Sequence, residues 1–315
     1  MLKMERKKWR ARARNTRSNI LASRPQRGKI RKMSVEEKAK MILLREGSQG
    51  TPHEHYEELP CSPSWPSSQF LFFPSQGREV ARWFFGSGMA ERPLISWLHT
   101  ELLKGDSCFV DIGAHVGTYT IACAPRTVRT YAFECSPRTF CYLAANVALH
   151  DLCDRVALFN CALGDQTSKV DYIQRSGDGG GNGIKELSAN DVAFSRQSVD
   201  VKRLDDLSLD FPAGIGVVKI DVEGAEVEVI RGSRETLRKN GYPPLVFESW
   251  GHWKTDVDAV GLRSELFSEI SSLGYAIHEL RAFHFDTFLA VHPSDPSRRN
   301  EIELLLERAH FSSGL

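Results

Sequence analysis

The chain has 315 residues, enough for one large α/β domain with extensions, and its net charge of +1 at pH 7 conceals an uneven distribution. Residues 1–45 hold 16 of the 41 Lys and Arg residues and 3 of the 40 Asp and Glu residues, so the remainder holds 25 basic and 37 acidic residues. An acidic body repels polyanions unless its charge is locally segregated around a cleft, which leaves the basic segment as the candidate contact for nucleic acid.

Cysteine usage and hydropathy indicate the cellular setting. The seven cysteines form no C-x-x-C pair, and six lie in or beside apolar runs, where a thiol packs as a small hydrophobic group. No run approaches the roughly 18 apolar residues of a membrane span, and the basic start is not followed by an apolar signal segment. We therefore expect a protein with no membrane span and no metal site, located in the cytoplasm, with the nucleus as an alternative suggested by the basic N-terminus.

Composition divides the chain into four segments. Residues 1–45 are predicted to be a basic, largely disordered tail with a short helix, because few apolar side chains are available to bury. Residues 46–74 are rich in Pro and Ser and are predicted to be a linker. Residues 75–293 form the predicted folded domain, and residues 294–315 a helical extension.

Within the folded domain, strand-like runs alternate with helical segments. Strands are predicted at 108–112, 130–134, 156–163, 199–204, 216–221, 244–249, 276–280 and 288–292. Helices are predicted from 117, from 137 to about 150, and over 223–239 and 260–273. This alternation predicts an α/β fold with a mostly parallel sheet and helices on both faces, and the last two strands predict a C-terminal antiparallel hairpin. The glycine-rich stretch 176–183 is a predicted loop and a candidate lid.

A glycine turn follows the first of these strands. The strand ends in Asp111, and Gly113 and Gly117 allow a tight turn at the carboxyl edge of the sheet, where open α/β folds bind ligands. His115 stands where the dinucleotide fingerprint has its middle glycine, which disfavours a pyrophosphate. Glu134 ends the next strand and can accept hydrogen bonds from a ribose diol. These residues predict a nucleoside site; the alternative is that Asp111 caps the helix and Glu134 lies at the surface.

The run VVKIDVEGAE brings further carboxylates to the same edge. Asp221 ends a strand, while Glu223 and Glu226 open the next helix, where the helix dipole alone can explain them. A hydroxyl acceptor benefits from losing its proton during attack, so a base is expected nearby. Asp221, Glu248 and His252 each lie at or just after the end of a predicted strand and are the predicted catalytic residues. His252 has the most suitable ordinary pKa, although a histidine in such a loop is often structural or solvated.

Four motifs in order, FVDIGAHVGTYT, YAFECSP, ALGD and VKIDVEGAEVEVIRG, resemble the FkbM family of methyltransferases. The resemblance implies a class I (Rossmann-like) fold with a seven-stranded sheet, S-adenosyl-L-methionine as methyl donor, and O-methylation, often of sugars or small metabolites. It implies that the first motif surrounds the amino acid and ribose portions of the cofactor, that the second holds the ribose hydroxyls and that the third lies near the adenine. The implied cofactor-binding residues are Asp111, Gly113, His115, Gly117, Glu134, Ala162, Leu163 and Gly164.

Two functions are compatible with these patterns. In the first, the domain methylates a hydroxyl of a glycan or small metabolite. In the second, residues 1–45 bind RNA through phosphate contacts and the domain methylates a ribose 2′-hydroxyl. A third reading, a non-catalytic binding module, is disfavoured by the intact glycine turn and Glu134. The resemblance carries the acceptor class whereas a basic tail is nonspecific, so the first function is favoured; the oligomeric state is left open.

Overall fold

The computed structural model describes residues 54–59, 69–74, 92–103, 105–175, 193–251, 258–281 and 286–294. The strands in these ranges are β1 (Glu54–Leu59), β2 (Gln69–Pro74), β3 (Cys108–Ile112), β4 (Arg129–Phe133), β5 (Val156–Phe159), β6 (Ala162–Leu163), β7 (Ser168–Arg175), β8 (Ala193–Lys202), β9 (Ile215–Ile220), β10 (Leu245–Glu248), β11 (Ala276–Glu279) and β12 (Thr287–Val291). The α-helices are α1 (Arg92–Trp97), α2 (Thr118–Cys123), α3 (Pro137–Leu149), α4 (Glu226–Arg231), α5 (Arg234–Lys239) and α6 (Ala259–Ser272). None of the helices in these ranges has the length and apolarity needed to cross a membrane.

A seven-stranded sheet in the order β11-β12-β10-β9-β3-β4-β5 forms the centre of the domain. Strands β10, β9, β3, β4 and β5 pair in parallel, while β12 pairs antiparallel with both β10 and β11. This confirms the predicted mostly parallel sheet with an antiparallel hairpin at the C-terminal end. The chain builds outward from β3 to β5 and then returns to β9 on the other side of β3. The carboxyl ends of β3 and β9 therefore form the topological switch point at which such sheets bind ligands.

The two faces of this sheet carry separate apolar cores. Along β9, Val217 packs in the core that includes α1, α2 and α3, while Val218 and Ile220 pack in the core that includes α4, α5 and α6. Alternate strand residues point to opposite faces, so a strand buried on both sides reads as a continuous apolar run. Helices on both faces are thereby confirmed.

The predicted strand 156–163 is divided between two sheets. β5 ends the large sheet, and β6 pairs in parallel with β8, which pairs antiparallel with β7, a strand not predicted from the sequence. The break falls at Asn160, whose side-chain amide donates to the backbone carbonyl of Glu134 at 2.8 Å. The Asn160 side chain thus provides a hydrogen bond to the carbonyl that follows β4, at the point where the chain leaves the large sheet.

The predicted helix 223–239 is likewise two helices, α4 and α5, and its first three residues lie before α4. Gly232 separates them, and a Cβ built on Gly232 would lie 1.8 Å from the carbonyl oxygen of Gly164. The close approach of two backbones at this point explains both the glycine and the interruption.

The segment 46–74, predicted as a linker, contains an antiparallel hairpin of β1 and β2, with β2 beside α3. The sequence of β2, QFLFFP, is rich in aromatic residues that favour strands, and the Pro and Ser content of the surrounding residues obscured this signal. The predicted tail (1–45), the candidate lid (176–183) and the helical extension from residue 295 onward lie outside the described residues.

Candidate cofactor and acceptor site

The chain between β3 and α2, residues 113–117, forms a turn that contacts the ends of β4 and β9; we call it the β3–α2 turn. The backbone N–H groups of Gly113 and Ala114 both donate to the carbonyl of Phe133, at 3.0 and 2.9 Å. Gly113 has a φ of +78°, and a Cβ there would lie 1.7 Å from the carbonyl oxygen of Asp221. Glycine is therefore required at this position by both conformation and space.

Glu134, which follows β4, accepts a hydrogen bond from this turn. Its Oε2 accepts the backbone N–H of His115 at 3.0 Å, and its Oε1 accepts that of Ser136 at 2.8 Å. The residue is 8% exposed, which excludes the alternative of a surface carboxylate. Burial raises the pKa of Glu134 to about 7 against the opposing effect of both N–H groups, and burial of the ring lowers the pKa of His115 to about 4. Near neutral pH the imidazole is uncharged and Glu134 is poised between its two forms.

Asp111 lies fully buried at the end of β3. Its Oδ2 accepts the hydroxyl of Thr120 at 2.5 Å, whereas its Oδ1 has no hydrogen-bond partner and lies 3.7 Å from the Nζ of Lys219. Burial is the largest influence on its pKa, which is raised. The N-cap position of α2 belongs to Gly117, so a helix cap does not account for Asp111.

Lys219 is a site residue that sequence reasoning missed. It is the register partner of Asp111 across the β3–β9 pair, and its side chain is 7% exposed. Its Nζ donates to the carbonyl of Gly113 at 2.9 Å, lies 3.2 Å from Asp221 Oδ2, and stands 4.9 Å from the centroid of the Tyr119 ring. A lysine within an otherwise apolar, fully buried strand was the available signal.

An acidic cleft opens beside this cluster. It lies where β9 and β10 end, so it brings two predicted catalytic residues together in one place. Its wall combines four carboxyl side chains with apolar ones: Asp221, Glu223, Glu226 and Glu248 lie beside Val227, Trp250, Leu262 and Leu266, with Gly224 and Ser249 between them. The third predicted catalytic residue, His252, lies outside the described residues.

Glu226 stabilises a backbone turn in the wall of the acidic cleft. Its Oε1 accepts the backbone N–H groups of Val222 and Gly224, both at 3.2 Å, and burial raises its pKa to about 7. The turn that it holds contains Glu223, with a φ of +56°. The structural alternative for Glu226 thus accounts for its position.

The residues predicted near an adenine have clear packing roles. Leu163 is 3% exposed in the core, and a Cβ on Gly164 would lie 2.8 Å from Val201 Cγ1. Ala162 is buried two residues after Asn160, whose side chain meets Glu134 and Cys135. Contact of Ala162, Leu163 and Gly164 with a cofactor stays a prediction.

The strand order, the glycine turn after the central strand β3 and the acid at the end of β4 define the class I methyltransferase fold. Residues 111–282 match the methyltransferase FkbM domain, so the chain belongs to the FkbM methyltransferase family.

Similarity to individual proteins is more distant. The chain is 33% identical over 106 residues to the 2-O-methyltransferase NoeI of Sinorhizobium fredii (strain NBRC 101917 / NGR234), an alignment that covers 28% of this chain and 42% of that protein, less than half of its length. Two solved structures are among those found similar to this chain. The SAH-bound methyltransferase PaMTH1 of Podospora anserina is 12% identical with a TM-score of 0.42, covering 84% of this chain and 98% of that one. An O-methyltransferase of Bacillus cereus in complex with SAH is 14% identical with a TM-score of 0.37, covering 83% and 91%.

Proposed function

We propose that this protein is an S-adenosyl-L-methionine-dependent O-methyltransferase that acts on a hydroxyl of a glycan or small metabolite. The observation that carries the proposal is the arrangement at the sheet edge. The β3–α2 turn is hydrogen-bonded to the buried carboxyl of Glu134, and both lie beside an acidic cleft that contains Asp221 and Glu248.

The residues of the donor side fit the proposed cofactor. Each Glu134 oxygen accepts one backbone N–H and retains lone-pair capacity for the hydroxyls of a ribose diol. Asp111 Oδ1 is a buried acceptor that lies 3.7 Å from Lys219 Nζ and has no hydrogen bond at normal distance, which supports a further contact with a ligand group. We assign the amino acid and ribose portions of the donor to this pair of carboxyls, with the adenine toward Ala162.

When bound, the donor supplies a methyl group on an electron-poor sulfonium, and transfer mainly requires an acceptor oxygen held in line with it. In the proposed mechanism Asp221 and Glu248 orient the acceptor hydroxyl, and one of these two carboxylates accepts its proton as the methyl group is transferred. His252 remains a proposed alternative base.

Oxygen as the acceptor atom is supported by the 2-O-methyltransferase relative, within the part of its length that aligns. A glycan or small metabolite follows from the family resemblance. The six cysteines of the described residues are free, which supports a reducing setting, and we propose the cytoplasm.

The competing function is methylation of an RNA ribose 2′-hydroxyl, with residues 1–45 as the phosphate-binding segment. One observation favours it: the excess of Lys and Arg in those residues over an acidic body.

Calorimetry with S-adenosyl-L-methionine tests the donor assignment. Glu134→Ala should weaken binding by about 1–3 kcal/mol, because charge-assisted hydrogen bonds are lost. Glu235→Ala, on the exposed surface of α5, is the matched control and should bind normally. Unchanged affinity of the Glu134 variant would contradict the assignment, and mass spectrometry after incubation with methyl glycosides then tests transfer to a hydroxyl.

A further inference from the structure

Lys219 occupies a position where an apolar residue would be expected. β9 is buried along its whole length, and Val217, on the same face as Lys219, packs in the apolar core that contains Tyr119. Removing an ammonium group from water costs free energy unless other groups compensate. A lysine at this point therefore needs a role beyond filling space.

The ion pair with its register partner, Asp111, is only one of the contacts of the lysine. The Nζ lies 3.7 Å from Asp111 Oδ1 but 2.9 Å from the carbonyl of Gly113 and 3.2 Å from Asp221 Oδ2. The side chain thus extends past Asp111 toward the edge of the sheet, where it also contacts two different loops.

Those two loops carry the two halves of the proposed site. Gly113 is in the β3–α2 turn, and Asp221 is in the wall of the acidic cleft. The backbones of the two loops also touch each other, because a Cβ built on Gly113 would collide with the carbonyl oxygen of Asp221. The ammonium group adds a side-chain link, charge-assisted on the Asp221 side, to that backbone contact.

We infer that Lys219 is a positioning residue that couples the donor-binding β3–α2 turn to the acceptor-side carboxylate of Asp221. This inference rests on the proposed function. The ammonium fixes the direction of the Gly113 carbonyl and the distance between Asp221 and that carbonyl. A change at Asp221 therefore alters the affinity of the β3–α2 turn for the donor.

A double-mutant cycle on donor affinity tests the coupling without knowledge of the acceptor. Calorimetry with S-adenosyl-L-methionine is carried out on the full chain and on Lys219→Met, Asp221→Asn and the double variant. We expect a loss of about tenfold or more for the lysine variant and about threefold for the aspartate variant, with the double variant no weaker than Lys219→Met alone. Lys239→Met, an exposed lysine in α5, is the matched control and should be unchanged.

The outcomes separate the inference from the proposed function. The coupling is overturned if the affinity losses of the two single variants multiply in the double variant, or if Lys219→Met binds the donor normally. Either outcome leaves donor binding established. Failure of the unmodified chain to bind the donor would instead refute the proposed function.

Folding of the variants is checked by circular dichroism. If Lys219→Met does not fold, the cycle is repeated with Lys219→Gln, which removes the positive charge but keeps a polar side chain. A Gln variant whose affinity loss multiplies with that of Asp221→Asn would again overturn the inference.

Discussion

Replacing Glu134 by glutamine removes a buried titratable group and should change how stability depends on pH. Burial raises the pKa of Glu134 from 4.5 to about 7. A carboxyl whose pKa is higher in the folded than in the unfolded chain favours folding in its protonated form. Its contribution is complete below pH 4.5 and is lost as the pH rises through about 7.

The size of the effect follows from the pKa values. At about 1.4 kcal/mol per pH unit, a rise from 4.5 to about 7 corresponds to about 3 kcal/mol, of which about 2.5 kcal/mol falls between pH 5 and pH 8. Glutamine has no such titration. The stability of the wild type relative to Glu134→Gln should therefore fall by about 2.5 kcal/mol over this interval, to order of magnitude.

Urea unfolding at pH 5 and pH 8 measures this difference. The control is Glu235→Gln: Glu235 is exposed and its hydrogen bond from Arg238 lowers its pKa, so its titration is complete below this interval. A gap between the wild type and Glu134→Gln that is the same at both pH values would refute the reasoning. It would mean that relaxation or water around Glu134 abolishes the cost of ionisation.

Three further predictions address the turn, the buried carboxylate and the tail. Gly113→Ala should cost several kcal/mol in urea unfolding, whereas Gly105→Ala, also at positive φ but in open space, should cost about 1 kcal/mol; equal losses would contradict the steric argument. Thr120→Val should lower the unfolding free energy by about 1–3 kcal/mol in thermal denaturation, because buried Asp111 loses a donor, and an unchanged midpoint would show that the bond contributes nothing. Removing residues 1–45 should leave calorimetric donor affinity and methyl transfer to a small acceptor nearly unchanged. Loss of that transfer with donor binding intact, or RNA binding that falls with salt at about −0.7 per phosphate contact and vanishes on truncation, would favour the RNA function.

The strands of the large sheet were predictable because parallel strands buried on both faces appear as continuous apolar runs, as in CFVDI of β3. The interruption at Asn160 was not, since it depends on a hydrogen bond to Glu134, 26 residues away in sequence. The same applies to Gly232, whose requirement for glycine comes from the backbone of Gly164. The local sequence pattern thus predicts which helices and strands form, whereas contacts between residues distant in sequence determine where those helices and strands are interrupted.

The candidate site was likewise only partly predictable from the sequence. Asp111 and Glu134 could be placed together because neighbouring parallel strands end at one edge, and the structure joins them through the β3–α2 turn. The place of Lys219 could not be predicted, because it is set by oxygen atoms from three points along the chain. A charged residue in an apolar strand signals a role without identifying its partners.

The direction of β12 has a consequence for how relatives of this protein can change their acceptor. Because Glu248 is the register partner of Thr287 and the two strands run antiparallel, β12 begins at the edge where β10 ends. The chain connection that leaves β10 and the one that enters β12 thus meet the sheet on the side proposed for the acceptor, separated from Asp111 and Glu134 by β9. Changes of length in these two connections would fall outside the strand pairs and the β3–α2 turn. Under the proposed function, acceptor choice could therefore diverge while the donor site is retained.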